Sequence, residues 1–158
     1  MHVQTSSVKS FPFAPEELAA WRGFLRVHSA LVRDLDAELR ASHGLSLHEY
    51  EVLLVLSDAP GARLRMSDLA AAVLLSQSGL TRLVDRLVRA GSVERERCEE
   101  DRRGHWAALT PAGRATFETA RAAHRAGVRA RFLDRLDEED LRALAAAWER
   151  VVPSATAE

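Results

Sequence analysis

Apolar side chains recur every three or four residues along most of this chain, which is the spacing of amphipathic helices. The longest series predicts a helix that begins at Pro15 and ends near Ser42. Its apolar residues alternate between spacings of three and four: Leu18, Trp21, Leu25, His28, Val32, Leu35 and Leu39. This narrow, heptad-like stripe indicates that the helix packs against a partner helix.

Capping residues delimit five further predicted helices. Each begins at a side chain that suits an N-cap: Ser46, Ser67, Ser76, Thr110 and Asp137. Their ends are predicted, in the same order, near Asp58, Val73, Ala90, Leu133 and Val151. Ser46 and Glu49 have capping-box spacing, and Gly91 supplies a C-terminal stop. The last helix again carries a stripe spaced three or four apart, formed by Leu141, Leu144, Trp148 and Val151.

Three short segments are predicted to be strands. Residues 63–66 form the first, and residues 93–97 and 105–110 form a hairpin whose loop carries Asp101-Arg102-Arg103-Gly104. The two short helices before the hairpin, joined by a turn near Leu74-Leu75, match a helix-turn-helix pattern. The predicted fold class is therefore mainly α with a small β-hairpin (α+β).

Composition favours a folded cytoplasmic protein. The 158 residues carry a net charge of −1 and are 47% apolar, enough for one domain or for one domain with an appended module. The single Cys98 cannot form an intramolecular disulfide, which fits a reducing cytosol. Because the N-terminus lacks a signal pattern and no apolar run is long enough to cross a bilayer, we expect no membrane partner.

The reactive residue types do not converge on a catalytic or metal site. No nucleophile, base and orienting acid come together and no Gly-rich phosphate loop occurs, so we expect neither an enzyme nor a cofactor. The six histidines are too scattered to bind a metal. Arg95 and Arg97 near Cys98 are opposed by Glu99 and Glu100, so we interpret this cysteine as a passive residue.

Basic residues are concentrated in the middle of the chain, where residues 63–103 hold nine arginines against seven acids. The helix predicted over residues 76–90 is apolar on one side and polar on the other. Its polar side comprises Ser78, Thr81, Arg82, Asp85 and Arg89, with Arg86 at the edge. A polar helix followed by an arginine-tipped hairpin suits contact with a DNA duplex. Alternatively, these arginines solvate an exposed face or pair with Asp85.

Three motifs, in this order, resemble the MarR family of bacterial transcription regulators. Met66-Ser67-Asp68-Leu69-Ala70 resembles the first helix of the family's helix-turn-helix, and Ser76-Gln77-Ser78-Gly79-Leu80-Thr81-Arg82-Leu83-Val84-Asp85-Arg86-Leu87 resembles its recognition helix. Asp101-Arg102-Arg103-Gly104, followed by Leu109-Thr110 and Gly113, is similar to its wing. The resemblance implies a winged helix-turn-helix lobe and a helical dimerisation domain. Such a homodimer binds a pseudopalindromic DNA site and usually releases it on meeting a small molecule.

The resemblance also assigns roles to individual residues. Bases in the major groove are expected to face Ser78, Thr81 and Arg82, whereas DNA phosphates are expected to face Ser76, Gln77 and Arg86. In the wing, Arg103 matches the family arginine that enters the minor groove, and Asp101 matches the acid that braces it. Arg102 is expected to contact a phosphate.

An effector pocket is implied where the dimerisation helices meet the DNA-binding lobe. The residues indicated are Trp21, His28, His48 and His124, and their rings would suit a small aromatic or phenolic acid. The alternative is that they are ordinary core and surface residues.

The terminal helices carry apolar stripes that the middle of the chain cannot cover alone, which predicts a homodimer. The predicted domains are a flexible arm (1–14), a helical dimerisation region (15–45 and 111–152), a DNA-binding lobe (46–110) and a flexible C-terminus (153–158). The function expected is a sequence-specific DNA-binding regulator, acting as a repressor released by a ligand. The alternatives are a helical interaction module without DNA binding and a thiol- or metal-responsive regulator.

Overall fold

The computed structural model describes residues 13–73, 75–97 and 104–152. The helices are α1 (Pro15–His43), α2 (Leu47–Asp58), α3 (Met66–Ala72), α4 (Gln77–Arg89), α5 (Pro111–Arg131) and α6 (Glu138–Val151). The strands are β1 (Arg63–Arg65), β2 (Val93–Arg97) and β3 (His105–Leu109), and short 3-10 turns cover Pro60–Ala62 and Leu133–Arg135. Contacts divide the chain into two compact units, one ending at Ala30 and the other beginning at Leu31.

Four of the five predicted N-caps are confirmed. The side chains of Ser46, Ser76, Thr110 and Asp137 each accept a hydrogen bond from a backbone N–H in the first turn that follows. The capping box of Ser46 and Glu49 is also formed. These helix starts depend on residues close in sequence, and local sequence is therefore enough to place them.

The predicted cap at Ser67 is wrong. Helix α3 begins one residue earlier than Ser67, at Met66, and its N-cap position is the last residue of β1, Arg65. Arg65 already has the extended backbone that an N-cap requires, with φ of −62° and ψ of 145°. The Ser67 hydroxyl instead donates to the Asp68 carboxylate at 3.2 Å. The strand therefore runs directly into the helix.

The three strands form one antiparallel sheet in the order β1-β3-β2. Alternate residues of a strand face opposite sides. One side packs on the helices and carries the buried Val93 and Ala107. On the other side, Arg65, Trp106 and Glu96 lie side by side across the three strands.

The core of the second unit lies between α2, α4, α5 and the sheet. Helix α2 contributes Val52, Leu53 and Leu56, each with no exposed surface, and α5 contributes the fully buried Phe117. The core also holds the whole apolar stripe of α4, which consists of Leu80, Leu83, Val84 and Leu87. Helix α4 is therefore fixed to the unit by its apolar side, and its polar side faces outward.

The base of the β-hairpin is joined to α5 through a close backbone contact. The buried Ser92 accepts a hydrogen bond from the Thr110 N–H at 3.1 Å. A side chain at Gly113 would collide with the Ser92 carbonyl, so only glycine fits this position of α5. In addition, the Thr110 hydroxyl donates to the Gly91 carbonyl at 2.6 Å. These contacts fix the position of the hairpin strands β2 and β3 relative to α5.

Two elements expose apolar side chains to an unusual degree. In the first unit, exposed residues of α1 include Trp21 (52%) and Leu25 (42%). In the second, α6 buries none of its residues and exposes Trp148 (44%) and Val151 (69%). Within the described ranges, none of the helices has the length and apolar character needed to cross a membrane.

Candidate nucleic-acid interface

The outward side of α4 presents the polar residues predicted to contact DNA. All six residues predicted to contact DNA from this helix are exposed: Ser76, Gln77, Ser78, Thr81, Arg82 and Arg86. The Thr81 hydroxyl donates to the Gln77 carbonyl at 2.8 Å, one turn earlier, so its orientation is set within the helix. The hydroxyls of Ser76 and Ser78 lie 3.3 Å apart at the helix start. Donors and acceptors of the kind that match base edges thus follow one side of the helix.

Arg82 is the arginine on this side without a polar contact among the described residues. It is exposed and sits one turn before Arg86. Arg89, by contrast, donates to the Asp85 carbonyl at 3.2 Å. The suggested pairing of Arg82 with Asp85 is not seen.

Arg86 makes a contact that the sequence analysis did not foresee. Its Nε donates to Oε1 of Glu49 on α2 at 2.7 Å, across 37 positions of sequence. The Glu49 side chain is only 9% exposed, whereas that of Arg86 is 49% exposed. Burial on its own would raise the pKa of Glu49, but hydrogen bonds from Arg86 and Ser46 together hold this pKa below its ordinary value. Glu49 is therefore a charged carboxylate at neutral pH.

Arg95 links the sheet to α4. Its guanidinium lies 2.9 Å from the Asp85 carboxylate, and it also donates to the Thr81 carbonyl at 3.5 Å. The sequence analysis considered Arg95 only as a neighbour of Cys98. A signal was available: Arg95 shares the period-two face of its strand with the buried Val93, which turns it toward α4. Asp85 thus pairs with the strand rather than with an arginine of its own helix.

A polar cleft of about 350 Å³ lies between the start of α3, the first turns of α4 and the loop end of the hairpin. Its lining consists of Arg65, Met66, Ser67, Gln77, Thr81, Arg95, Gly104 and His105. Two of these, Gln77 and Thr81, were predicted to contact DNA. Arg65, Ser67, Arg95 and His105 were missed, since they come from separate elements that only the fold brings together.

On the outer side of the sheet, two arginines flank a tryptophan. The guanidinium carbons of Arg63 and Arg65 lie 5.0 and 5.4 Å from the centre of the Trp106 ring, within the range of cation–π attraction. Arg63 also pairs with Glu96 at 2.9 Å. These contacts connect all three strands beside the cleft.

The predicted wing residues Asp101, Arg102 and Arg103 lie outside the described residues, as does Cys98. The described part of the hairpin resumes at Gly104, which lines the cleft. The roles assigned to the three loop residues therefore remain predictions.

The residues predicted to bind an effector fall into two sets. In the first unit, the Phe24 ring lies 6.0 Å from each of the Trp21 and His28 rings along α1. In the second unit, His48 is exposed and pairs with Glu51 at 3.0 Å. His124 is half-buried. The assignment of all four residues to a ligand remains a prediction.

His124 stacks on an aromatic side chain that the sequence analysis did not connect with it. The ring centres of His124 and Tyr50 are 4.5 Å apart, and Tyr50 stacks in turn on Phe117 at 5.6 Å. Burial lowers the pKa of His124, and the carboxylates of Glu51 and Glu38 partly oppose this effect. Among the residues the structure describes, no group of three or more potential ligands could hold a metal ion.

Comparison with known proteins identifies several relatives. A family model described as the MarR family matches residues 43–104. Two similar solved structures come from Streptomyces coelicolor. AbsC, a MarR family transcriptional regulator, is 39% identical, with 90% of this chain and 95% of AbsC covered and a TM-score of 0.83. Sco3205, a MarR family regulator solved in complex with DNA, is 30% identical, with 94% and 97% covered and a TM-score of 0.84.

A further relative is the HTH-type transcriptional repressor YetL of Bacillus subtilis (strain 168), which is 33% identical over 99 residues. The match covers 63% of this chain and 59% of YetL. This chain therefore spans less than two thirds of the length of that repressor.

Proposed function

Since this chain belongs to the MarR family of transcriptional regulators, we propose that it binds double-stranded DNA with α4 in the major groove. The observation that carries the proposal is the division of α4 into two sides. All four stripe residues are buried, while the residues from Ser76 to Arg86 that match base edges and phosphates remain exposed. A helix held in this way can enter a groove without losing its own packing.

The hairpin completes the proposed interface. The ion pair between Arg95 and Asp85 sets the distance between α4 and the sheet. If α4 occupies the major groove, the hairpin loop extends toward the neighbouring minor groove, which is the place proposed for Arg103. Asp101 and Arg102 are proposed to brace Arg103 and to contact a phosphate. In this arrangement residues 46–110 act as the DNA-binding lobe.

Binding is proposed to occur as a homodimer. The exposed apolar residues of α1 and of α6, notably Trp21 and Trp148, favour association of the regions 15–45 and 111–152 with a second copy. A two-fold dimer presents two copies of α4 to two half-sites about one helical turn apart, which is why we propose a pseudopalindromic operator. The proposed location of this binding is the bacterial cytoplasm.

Repression relieved by a small molecule is the proposed regulatory outcome. The relative YetL is named as a repressor. The half-buried His124 ring, which stacks on the buried Tyr50, is the proposed contact for an aromatic or phenolic acid. His48, in the same unit, is retained as a further proposed contact of the effector. Trp21 and His28, in the first unit, stay separate predictions of effector contacts.

Fluorescence anisotropy with labelled DNA from upstream of the coding region tests the proposal. We expect tight binding at about 50 mM salt and much weaker binding at about 200 mM, since phosphate contacts release counterions. A scrambled duplex of equal length should bind with at least roughly a thousandfold lower affinity. Equal affinity for both duplexes, or no binding to either, would contradict the proposal.

A further inference from the structure

We propose that Glu49 is a positioning residue for DNA binding, which aims the guanidinium of Arg86 at a backbone phosphate. The inference rests on the proposed function. It concerns a residue of α2 that lies outside the helix-turn-helix and whose charge has the same sign as that of DNA. A buried acid in this place calls for an explanation, since negative charge near a duplex opposes binding.

Glu49 is held from two directions. The Ser46 backbone N–H and the Ser46 hydroxyl donate to Oε2 at 2.7 and 2.9 Å, whereas Oε1 accepts from Arg86. The start of α2 is itself tied to α1, because the Leu47 N–H donates to the Asp36 carboxylate at 2.8 Å. With both oxygens engaged, the carboxylate has one orientation and acts as a fixed acceptor.

The hydrogen bond to Glu49 consequently holds the Nε edge of the Arg86 guanidinium in place. An arginine carries five N–H donors in a planar fork, and Glu49 engages the one on Nε. The four donors on Nη1 and Nη2 have no hydrogen-bond acceptor among the described residues, and half of the side chain is exposed. Arg86 follows Arg82 by one helical turn, so this free edge borders the outward side of α4. A planar pair of donors in a fixed orientation matches two oxygens of a phosphate.

The direction in which Glu49→Gln changes DNA affinity distinguishes a positioning role of Glu49 from a purely electrostatic one. If Glu49 affected DNA only through its charge, Glu49→Gln would remove a repulsion and strengthen binding. If Glu49 orients Arg86, the same substitution weakens binding, since a glutamine presents an N–H donor to one of its two donor partners, Ser46 or Arg86. An ion pair that only stabilised the fold would change the melting temperature and leave the salt dependence of DNA binding as it was.

The experiment measures affinity for the upstream duplex at several salt concentrations, together with thermal melting, for Glu49→Gln, Arg86→Ala and the double variant. We expect each single variant to bind roughly tenfold more weakly at low salt. The slope of log affinity against log salt should fall by about 1.8, for one phosphate lost in each of two copies. The double variant should be no worse than Arg86→Ala, since both act through one contact.

Glu51→Gln is the matched control, because it removes an exposed carboxylate from the same helix without touching Arg86. It should leave the affinity and slope unchanged or raise the affinity slightly. If Glu49→Gln melts below the assay temperature, Glu49→Asp replaces it: the charge stays but is withdrawn from Arg86 by one methylene, and the same losses are expected. Wild-type affinity and slope in the Glu49 variants would overturn the inference. Failure of the wild-type protein to bind DNA would instead overturn the proposed function.

Discussion

Helices α4 and α6 have nearly the same length, 13 and 14 residues, and in both the apolar residues recur at helical spacing along one side. Their surroundings differ completely. In α4 all four stripe residues are buried within the chain, whereas α6 buries none of its residues. The same apolar pattern therefore occurs in two kinds of helix. The apolar side of α4 is covered within one chain, whereas the apolar side of α6, in our proposal, is covered by a second copy.

Substitutions in these two helices should accordingly have three different effects. Changes to the apolar side of α4 should affect the folding of a single chain. Changes to the apolar side of α6 should affect association. Changes to polar-side residues of α4 that make no polar contact within the described chain, such as Arg82, should affect DNA binding alone.

Leu87→Ala should have the largest effect. Leu87 is 1% exposed in the core, and replacing it leaves a cavity that costs about 2–5 kcal/mol of unfolding free energy. Urea denaturation followed by circular dichroism measures the loss. Val88→Ala, at a neighbouring position that is 37% exposed, is the control and should stay within about 0.5 kcal/mol of wild type. Equal losses in the two variants would contradict the described packing of α4.

Trp148→Ala should weaken the dimer. An aromatic residue at the centre of an interface typically contributes about 2 kcal/mol or more, which corresponds to roughly a thirtyfold increase in the dimer dissociation constant. Sedimentation velocity over a dilution series measures this constant. Arg142→Ala, an exposed change on the same helix, should leave it nearly unchanged. A wild-type dissociation constant for Trp148→Ala would remove α6 from the proposed interface.

Arg82→Ala should leave folding intact and weaken DNA binding. If Arg82 reads a guanine, its loss costs roughly 1–3 kcal/mol and relaxes the preference at one base pair. Competition with single-base variants of the operator measures both effects. Arg89→Ala is the control, since Arg89 already donates to a carbonyl of its own helix. Unchanged affinity and preference in Arg82→Ala would exclude it as a reading residue.

The smallest effect concerns pH. Because the folded-state pKa of His124 is lowered, the unfolded chain takes up the proton first as the pH falls below about 6.5. The unfolding free energy should therefore decrease from pH 8 to pH 5.5. His124→Phe, which keeps an aromatic ring against Tyr50, should flatten this dependence. Parallel pH curves for wild type and His124→Phe would contradict the effect of burial.

Local features of the fold were predictable from the sequence. Four side chains cap helices by bonding to a backbone N–H a few positions later: Ser46, Ser76, Thr110 and Asp137. Because each cap lies next to its helix in the sequence, the sequence alone was enough to predict it. The prediction at Ser67 is wrong because this serine also has the chemistry of a cap, whereas the extended backbone of Arg65 already places the N-cap position before Met66. The relatives confirm the expectation of a regulator rather than an enzyme.

Long-range pairing was not predictable in the same way. The suggested pairing of Arg86 with Asp85 is not seen, because Arg86 contacts Glu49, 37 positions away in the sequence. Its expected phosphate contact stays a prediction. Asp85 pairs with Arg95, and His124 stacks on Tyr50, both across separate elements. Charged and aromatic side chains can reach many partners, and only the packing of the elements selects one. The residues of the cleft were missed for the same reason.

The central claim is that two copies of the chain present two α4 helices to one duplex. Sedimentation velocity of the wild-type protein, alone and with a labelled duplex from upstream of its coding region, tests this most directly. The account predicts a dimer at micromolar concentration and two chains on each duplex. A monomer that binds the same duplex as a single chain, with full affinity, would contradict it.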